Sequence, residues 1–593
     1  MLSVLHVLGM LLTILVIALV GYFSGKKVKS TKDFATGGGK ANTFIVAGII
    51  LGTLISGQAT IGTSQLGFAN GICSLWFAVG CCLGCLILAF PYAIPIRRSN
   101  CTTLMEIISK EFGREAEYLC SVLCSIGIFI SVIAQIISAT ALLTTILPIN
   151  NLVSSVIAIF LMAVYVIFGG VWGAGFGGIA KLIFVYISCI IGGIIVFMKS
   201  NGYHHLMDTM IDNMNGTPLG AVNNMFNYED ASFHYKNVVA RGPLKDIGNG
   251  LSVALGIICT QTYAQGIWSG KNHRASINGT LLSALLVPPI SFVCIMIGFF
   301  MRAFFITNDE VNAITKLGKE VPSHLEVIER SSQAFPMFVY HKMPDFLGGI
   351  ALGTLLITVV GGGAGLSLGV ATIIHRDIIS KIFKIKDPKK SLIMIRMIIL
   401  IILIAAAVIA DLMPGTLIND YGFLSMGLRG TVVLLPLTAS LFLKNRINKN
   451  CCLASIIIGP LAVLISKFAF NVSFDPLFIG IGICLIIFII GYIIGPKSHN
   501  TNNTDTKEKN KDNNNKDDNQ LSKLEKEKIS SESLTKSPYS STDSCSPLKK
   551  EFKEKENSII NINNEDETKE EMDITSSSNK KEHNTSDTTI DIN

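Results

Sequence analysis

Hydroxyl and amide side chains interrupt an apolar stretch near the start of the chain, between Asn42 and Gly71. Ser56, Gln58 and Thr60 lie near its centre, among several glycines that weaken helical structure. Backbone groups freed from a helix in hydrocarbon are tolerated only where they line a cavity or are buried in protein. Hydroxyl, amide and carbonyl groups placed in this way can bind a small polar solute or a cation.

A second polar cluster interrupts residues 249–268, which include Thr260 and Thr262. This segment lies five predicted spans after the first, so an inverted repeat of five helices would place the two interruptions opposite each other. Alternatively, the amides and the phenol bond only to neighbouring helices. The predicted solute contacts are Ser56, Gln58, Trp76, Gln261, Tyr263 and Gln265. Trp76 is equally typical of an anchor at the membrane interface.

A third unusual segment, residues 346–374, contains three consecutive glycines from Gly361 to Gly363. Small residues allow helices to approach closely, which explains the run by packing alone. They also expose backbone carbonyls, the hard oxygen ligands that alkali cations prefer. Periodicity does not choose between these two interpretations.

The composition indicates the elements that position these residues. Half of the 593 residues are hydrophobic, 15% are charged, and the mean hydropathy is +0.51. These values are typical of an all-α polytopic membrane protein embedded in a lipid bilayer. A span needs roughly 20 apolar residues, and this rule predicts about 13 spans. They fall near 3–23, 43–68, 72–94, 118–147, 151–171, 177–198, 249–268, 279–304, 346–374, 391–411, 420–443, 450–470 and 475–495.

Lysine and arginine alternate between the two sides of these spans. The basic loops include KKVKSTKDF, SGKNHR, HRDIISKIFKIKDPKK and KNRINKN. Basic loops face the cytoplasm, which predicts an outside N-terminus, a cytoplasmic C-terminus and, by default, the plasma membrane. The formal net charge of +7 therefore reflects topology and does not indicate nucleic-acid binding.

The sequence predicts two parts, a membrane domain over residues 1–495 and a cytoplasmic tail over residues 496–593. The tail is rich in Asn, Ser, Lys, Asp and Glu and almost free of aromatic residues, so it is predicted to be disordered. Ser537-Pro538 and Ser546-Pro547 are plausible phosphorylation sites. They motivate a second hypothesis, a solute sensor that signals through the tail.

The sequence contains no nucleotide-binding loop, metal-ligand set or nucleophile–base pairing that would indicate an enzyme or a pump. The 14 cysteines lie mostly in apolar runs, where free cysteine acts as a small hydrophobic residue. The sequence therefore predicts no enzyme activity and no cofactor other than a coupling ion.

Four stretches carry a family resemblance: GQATIGTSQLGFANGICSLWFAVG, YVIFGGVWGAGFGGIAK, QTYAQGIWSGKN and the helix ending IIHRDII. Together they resemble the sodium:solute symporter family over roughly residues 1–495. Its members, among them sodium/glucose and sodium/proline cotransporters, have a LeuT-type core and carry solutes such as sugars, proline, pantothenate, iodide, urea or monocarboxylates. The resemblance implies inverted repeats over about residues 43–198 and 249–443.

The resemblance also implies a sodium site. Two carbonyls of the first broken helix would correspond to Gly52 and Ile55, and the later helix would offer Thr358, Gly361 and Gly362. The family has a Ser-Ser or Ser-Thr hydroxyl pair where this chain has Gly361-Gly362, so two of the five oxygens are missing unless the register shifts and Ser367 or water replaces them. This difference puts sodium coupling in doubt.

The family often has Thr-Asp and then Gln after a Gly-Gly pair at the start of the fifth core helix, whereas this chain has Gly177-Gly178 and then Lys181. A lysine at the centre of a span costs roughly 2.5–3.5 kcal/mol on insertion scales, so such residues suggest function. We hypothesise that its ammonium occupies or borders the cation site, which would make transport proton-coupled or uncoupled. Alternatively, Lys181 lies near the cytoplasmic end of its span and extends to the interface.

Together these features predict a secondary active transporter that moves a small polar solute by alternating access, with Na⁺ or H⁺ as the coupling ion.

Overall fold

The computed structural model describes residues 2–26, 34, 36–384, 387–412, 417–470 and 472–495. The side chains of residues 167–170 and 388 are not described. The predicted disordered tail, 496–593, lies outside the described residues, as do its Ser-Pro sites. The membrane unit, Met1–Ser498, forms one compact body.

The described chain is almost entirely helical. Its helices are α1 (Val4–Gly25), α2 (Thr43–Leu54), α3 (Thr63–Asn70), α4 (Trp76–Ile87), α5 (Ala93–Arg98), α6 (Leu104–Phe112), α7 (Arg114–Ile146), α8 (Asn151–Lys199), α9 (Tyr203–Asp212), α10 (Pro218–Val222), α11 (Tyr228–Lys236), α12 (Pro243–Ile258), α13 (Gln261–Ser269), α14 (His273–Phe304), α15 (Asn308–Lys316), α16 (Ala334–Lys342), α17 (Asp345–Ile373), α18 (Ser380–Ile382), α19 (Pro388–Asp411), α20 (Ile418–Phe442), α21 (Lys449–Phe468) and α22 (Leu477–Ile494). Wider π-helical turns cover Gln58–Gly62, Leu88–Tyr92 and Ile374–Ile379. Short 3₁₀ turns cover Gly37–Gly39, Gly71–Leu75 and Ser331–Gln333.

Within the described ranges, ten helical segments are long and apolar enough to cross a membrane. Two shorter apolar helices, Thr43–Leu54 and Asn151–Val166, coincide with further predicted spans. The remaining predicted span, 249–268, is divided between α12 and α13. The polytopic helical fold is therefore confirmed, whereas the count of 13 spans stays a prediction.

One small departure from the all-α prediction lies outside the apolar helices. Strand β1 (Phe305–Thr307) pairs in parallel with strand β2 (Glu326–Ile328), with Ile306 opposite Val327. The strands are three residues long, too short for a detectable alternation of polar and apolar residues. They connect the end of α14 to the segment that leads into α16.

Helix α17 lies at the centre of the membrane unit, and its residues from Gly348 to Ile373 are nearly all buried. Its glycines permit backbone contact on several sides, because an added methyl group at Gly349 or Gly353 would meet the backbone of α1. By contrast, many leucine and isoleucine side chains of α1 and α22 are exposed, as expected for helices that face lipid.

Candidate functional site

The first broken helix consists of α2 and α3. Asn42 starts α2, because its side chain accepts a hydrogen bond from the backbone N–H of Ile45. The helix stops at Leu54, and Ile55 has an extended backbone with φ −78° and ψ 93°. The carbonyls of the last helical turn have no partners within the helix, so this end carries partial negative charge in the middle of the protein.

Lys181 of α8 is directed at these carbonyls. Its side chain is fully buried, and its Nζ donates to Gly52 O at 2.6 Å and to Ile55 O at 2.7 Å. Both distances are typical of hydrogen bonds from a charged donor. The ammonium therefore occupies the position between the two carbonyls to which the family resemblance assigned sodium, and it does not extend to a membrane surface.

Gly361 of α17 lies next to the Lys181 ammonium and the Gly52 carbonyl. An added methyl group there would lie 3.4 Å from Lys181 Nζ, 3.5 Å from Gly52 O and 3.6 Å from the Tyr165 hydroxyl. The Tyr165 hydroxyl is buried and has no hydrogen-bond partner in the described structure. Tyr165 was not predicted, because a single phenol in an apolar span carries no recognisable pattern.

The Lys181 ammonium donates its hydrogen bonds to uncharged carbonyl oxygens. Among the described residues, no ion pair involves Lys181. A buried cation next to the carbonyl end of a helix is stabilised by the helix dipole instead. The structure therefore places a lysine side chain between the two carbonyls.

Two other predicted cation-site residues are placed differently. The Thr358 hydroxyl donates to Thr354 O at 2.6 Å, within its own helix. Gly362 faces the Ser56 side chain and Gln135. The structure therefore brings together Gly52, Ile55, Lys181 and Gly361.

The glycines of α17 allow this helix to pack closely against its neighbours. A methyl group at Gly362 would lie 2.5 Å from the Ser56 Cβ, and one at Gly363 would lie 2.5 Å from the Met162 sulfur. Gly365 is in equally close contact with the Thr53 hydroxyl. Of the two interpretations of this glycine run, the described contacts support close packing.

Gln135 of α7 connects the first broken helix to its surroundings. Its Oε1 accepts from the backbone N–H of Gly57 at 2.9 Å, and its Nε2 donates to the Ser56 hydroxyl at 3.2 Å. Gln135 is fully buried. Gln135 was not predicted from the sequence, although Ser131, Gln135 and Ser138 lie three and four residues apart and so share one face of a helix.

The second broken helix consists of α12 and α13. Helix α12 stops at Ile258, Thr260 has an extended backbone, and α13 begins at Gln261. The Thr262 hydroxyl donates to Gly365 O at 3.1 Å, and Gly365 also contacts Thr53 of the first broken helix. The two broken helices therefore both contact α17 at Gly365.

Four of the predicted solute contacts lie beside the two interruptions. Ser56 bonds to Gln135, as described above. The Gln58 amide nitrogen and the Gln265 Oε1 are buried without hydrogen-bond partners in the described structure. Tyr263 is buried on α13. Unpaired buried amide atoms carry a free-energy cost, which a bound solute would remove.

The other two predicted solute contacts have local partners. The Gln261 side chain accepts from Leu104 N at 3.1 Å and donates to Thr102 O at 2.8 Å, so it fixes the start of α6. The Trp76 indole donates to Val238 O at 2.7 Å. These contacts give both side chains a structural explanation that the sequence did not reveal, because the loops that provide the carbonyls are distant in sequence.

A family model for the sodium:solute symporter family matches residues 34–459. The chain belongs to this family. One similar protein is an uncharacterised symporter, YwcA of Bacillus subtilis, which is 24% identical over 373 residues, 62% of this chain and 66% of that protein. Another is the high-affinity choline transporter 1 of Drosophila melanogaster, 21% identical over 449 residues, 72% of this chain and 64% of that protein.

The chain thus spans just under two thirds of the length of these relatives. Among solved structures, it resembles a Na⁺-coupled sialic acid symporter in a substrate-bound, outward-open state, with a TM-score of 0.66 and 16% identity. The alignment covers 83% of this chain and 97% of the symporter. The predicted family and LeuT-type fold are confirmed, and the many long apolar helices support an integral multi-pass membrane protein.

Proposed function

We propose that this symporter-family protein moves a small polar solute without sodium, because the Lys181 ammonium takes the place of the coupling sodium ion. The observation that carries the proposal is the pair of hydrogen bonds from Lys181 Nζ to Gly52 O and Ile55 O. Sodium does not fit between these carbonyls while the ammonium is there, since the two cations would compete for the same oxygens and repel each other.

Protons are the natural coupling ion for such a site. Loss of a proton turns the ammonium into an amine, which removes the charge and weakens both hydrogen bonds to the end of α2. The contact between α2 and α8 would then loosen, and one group of helices would be free to rock against the other. Protonation from the opposite side would restore the contact, so each cycle would carry one proton.

The proposed solute position lies between the two interruptions, next to Ser56, Gln58, Tyr263 and Gln265. The unpaired amide atoms of Gln58 and Gln265 support this assignment. Gln261 and Trp76 support the surrounding structure in this proposal. The orientation with an outside N-terminus and a location in the plasma membrane remain part of the proposal and rest on the basic loops.

The first experiment is uptake by proteoliposomes with sodium and proton gradients imposed separately. The probes are radiolabelled glucose, proline, urea and lactate. We expect an inward proton gradient to drive accumulation and a sodium gradient to have no effect. Accumulation driven by sodium would refute the proposal, and equilibration without accumulation under either gradient would show an uncoupled carrier.

A solute-free measurement tests the same site. A ligand that binds only the folded protein raises its melting temperature. We therefore expect the purified protein to melt at the same temperature in sodium chloride and in N-methyl-D-glucamine chloride. Stabilisation by sodium in the millimolar range would contradict the proposal.

The variant Lys181→Met tests the role of the ammonium directly. It keeps an unbranched side chain of similar length but removes the charge, so we expect uptake to lose its dependence on pH. The matched control is Lys199→Met, which changes an exposed lysine at the end of the same helix. Uptake by the Lys181→Met protein with the wild-type pH dependence would exclude the coupling role.

A further inference from the structure

Arg429 of α20 is a fully buried arginine beside the second interruption. Its Nη1 donates to the Thr260 hydroxyl at 2.6 Å. Its Nη2 donates to the hydroxyls of Ser131 and Ser425, both at 3.2 Å, and its Nε donates to Ser425 O at 3.1 Å. Every one of these acceptors is a neutral oxygen.

The charge of Arg429 has no acidic partner among the described residues. Two other arginines of this chain with largely buried side chains do have one. Arg302 pairs with Glu310 at 2.7 Å, and Arg241 pairs with Asp246 at 2.7 Å. An arginine stays charged in a protein, and a charge buried in a membrane protein normally has a counter-charge or lines a pathway for a charged ligand.

The surroundings of Arg429 add to its positive potential. Thr260 precedes α13, and its hydroxyl donates to Gly256 O while it accepts from Arg429, so the start of α13 has no side-chain cap. The N–H groups of Tyr263 and Ala264 donate to Thr260 O, but the N–H groups of Gln261 and Thr262 have no acceptor one turn earlier in the helix, and this end carries partial positive charge. In transporters with broken helices, such half-helix starts point at anionic groups of the substrate.

We propose that Arg429, together with the start of α13, binds the carboxylate of a monoanionic solute. The inference rests on the proposed transport function and names its substrate class. The planar guanidinium matches the two oxygens of a carboxylate, and the three hydroxyls around it hold it in place until the solute arrives. One arginine without an acidic partner balances one negative charge, so a monocarboxylate is favoured over a dicarboxylate.

Helix α7 connects this anion position with the first broken helix. Ser131 contacts Arg429, and Gln135, one helical turn further along, bonds to Gly57 and Ser56. A carboxylate that displaces Ser131 from the guanidinium would alter the face of α7 that supports the first interruption. Solute binding is in this way connected to α2, the helix whose C-terminal end accepts hydrogen bonds from Lys181.

Counterflow in proteoliposomes tests the solute charge without any ion gradient. Vesicles are loaded with unlabelled acetate, propionate, lactate, pyruvate, proline or benzoate, and uptake of the same labelled compound is measured. Propionamide, lactamide and glucose serve as neutral comparisons. We expect exchange of at least one monocarboxylate and no exchange of its amide. Exchange of neutral solutes only, equal exchange of acid and amide, or no exchange of any carboxylate would each overturn the proposal.

Variants of Arg429 then test whether this residue produces the preference for a carboxylate over its amide. We expect Arg429→Gln to reduce carboxylate exchange at least tenfold and Arg429→Lys to raise KM with a smaller loss of kcat, because lysine keeps the charge but not the planar fork. The control is Arg446→Gln, which changes an exposed arginine beyond the end of α20. Unchanged selectivity for carboxylate over amide in Arg429→Gln would refute the role of Arg429.

The two proposals fail in different ways. Counterflow does not depend on the driving ion, so it tests the charge of the solute and not the coupling role of Lys181, and the wild-type panel answers the charge question even if a variant does not fold. Accumulation of a carboxylate driven by sodium would refute the Lys181 proposal and leave the Arg429 proposal intact.

Discussion

Gly361 and Gly362 are neighbours in sequence, yet they meet different surroundings. A methyl group at Gly361 would be in ordinary contact with Lys181 Nζ at 3.4 Å, whereas one at Gly362 would lie 2.5 Å from the Ser56 Cβ. Gly361, which stands where the family has the first residue of its hydroxyl pair, therefore leaves room beside the Lys181 ammonium. The second glycine is required because α17 touches the first interruption at Ser56.

This difference predicts unequal effects of the same substitution. We expect Gly362→Ala to lower the free energy of unfolding by about 1–3 kcal/mol, because α17 must move away from the first broken helix. Gly361→Ala is the matched control and is expected to be neutral or stabilising by up to about 1 kcal/mol, since alanine favours a helix over glycine. Thermal unfolding in detergent measures both variants, and the reverse order would contradict the packing interpretation.

Single residues also show where sequence reasoning succeeds and where it stops. Lys181 was recognisable because a charged residue stands out in an apolar span, and its proximity to Gly52 and Ile55 is what the hypothesis required. Arg429 and Gln135 lie in apolar spans as well, but nothing in the sequence indicates which helices face them. Their partners depend on the rotation of each helix, which one sequence without its packing does not provide.

Among the elements, the two broken helices were predictable because both combine glycine, hydroxyl and amide residues within an apolar run. The segment between α14 and α16 was not, because it is polar and has no regular period. Arg302 at the end of α14 forms a bidentate pair with Glu310 of α15, at 2.7 and 3.0 Å. The Glu310 side chain also accepts from Thr307 in a capping box.

This pair predicts a pH-dependent attachment of α15. Burial raises the pKa of Glu310, but the Arg302 guanidinium outweighs it and lowers the pKa to about 2, from an ordinary value of 4.5. A carboxyl whose pKa is lowered in the folded state contributes stability above pH 4.5 and loses it as the pH falls towards 2. At neutral pH, we expect Glu310→Gln to lose on the order of 3 kcal/mol, because Arg302 is left buried without its partner.

The measurement is thermal unfolding of wild type and Glu310→Gln between pH 7 and pH 2.5. The difference in melting temperature is expected to be constant above about pH 5 and to shrink below pH 4.5. Glu320→Gln, which changes an exposed residue just after α15, is the control and is expected to match wild type throughout. A difference that persists unchanged to pH 2.5 would show that the ion pair is not its source.

At the scale of the whole molecule, the compact unit Met1–Ser498 contains both broken helices, Lys181 and Arg429. The polytopic helical fold was predictable because long apolar runs are a strong signal, whereas the orientation from the basic loops and the domain boundary at the abrupt change in composition near residue 496 stay predictions. The predicted sensor role concerns the segment after that change. It remains the alternative to transport.

Removal of the tail separates these two hypotheses. We expect a chain that ends at Ser498 to keep the uptake rate and the solute selectivity of the full chain, because all the residues of the proposed sites lie before that point. Proteoliposome uptake of both forms at equal protein density measures this. Loss of uptake on truncation would assign the tail a direct part in transport, whereas unchanged uptake with loss of a cellular response to the solute would favour sensing.

The Lys181 ammonium is covalently part of α8, and this has a consequence for the membrane voltage. A bound sodium ion leaves on the other side of the membrane and carries its charge across, which is worth about 2.3 kcal/mol per 100 mV. A lysine does not leave. If a proton released by Lys181 accompanies a monoanion held by Arg429, the pair crosses with no net charge, and uptake would be electrically silent and independent of the voltage of the cell.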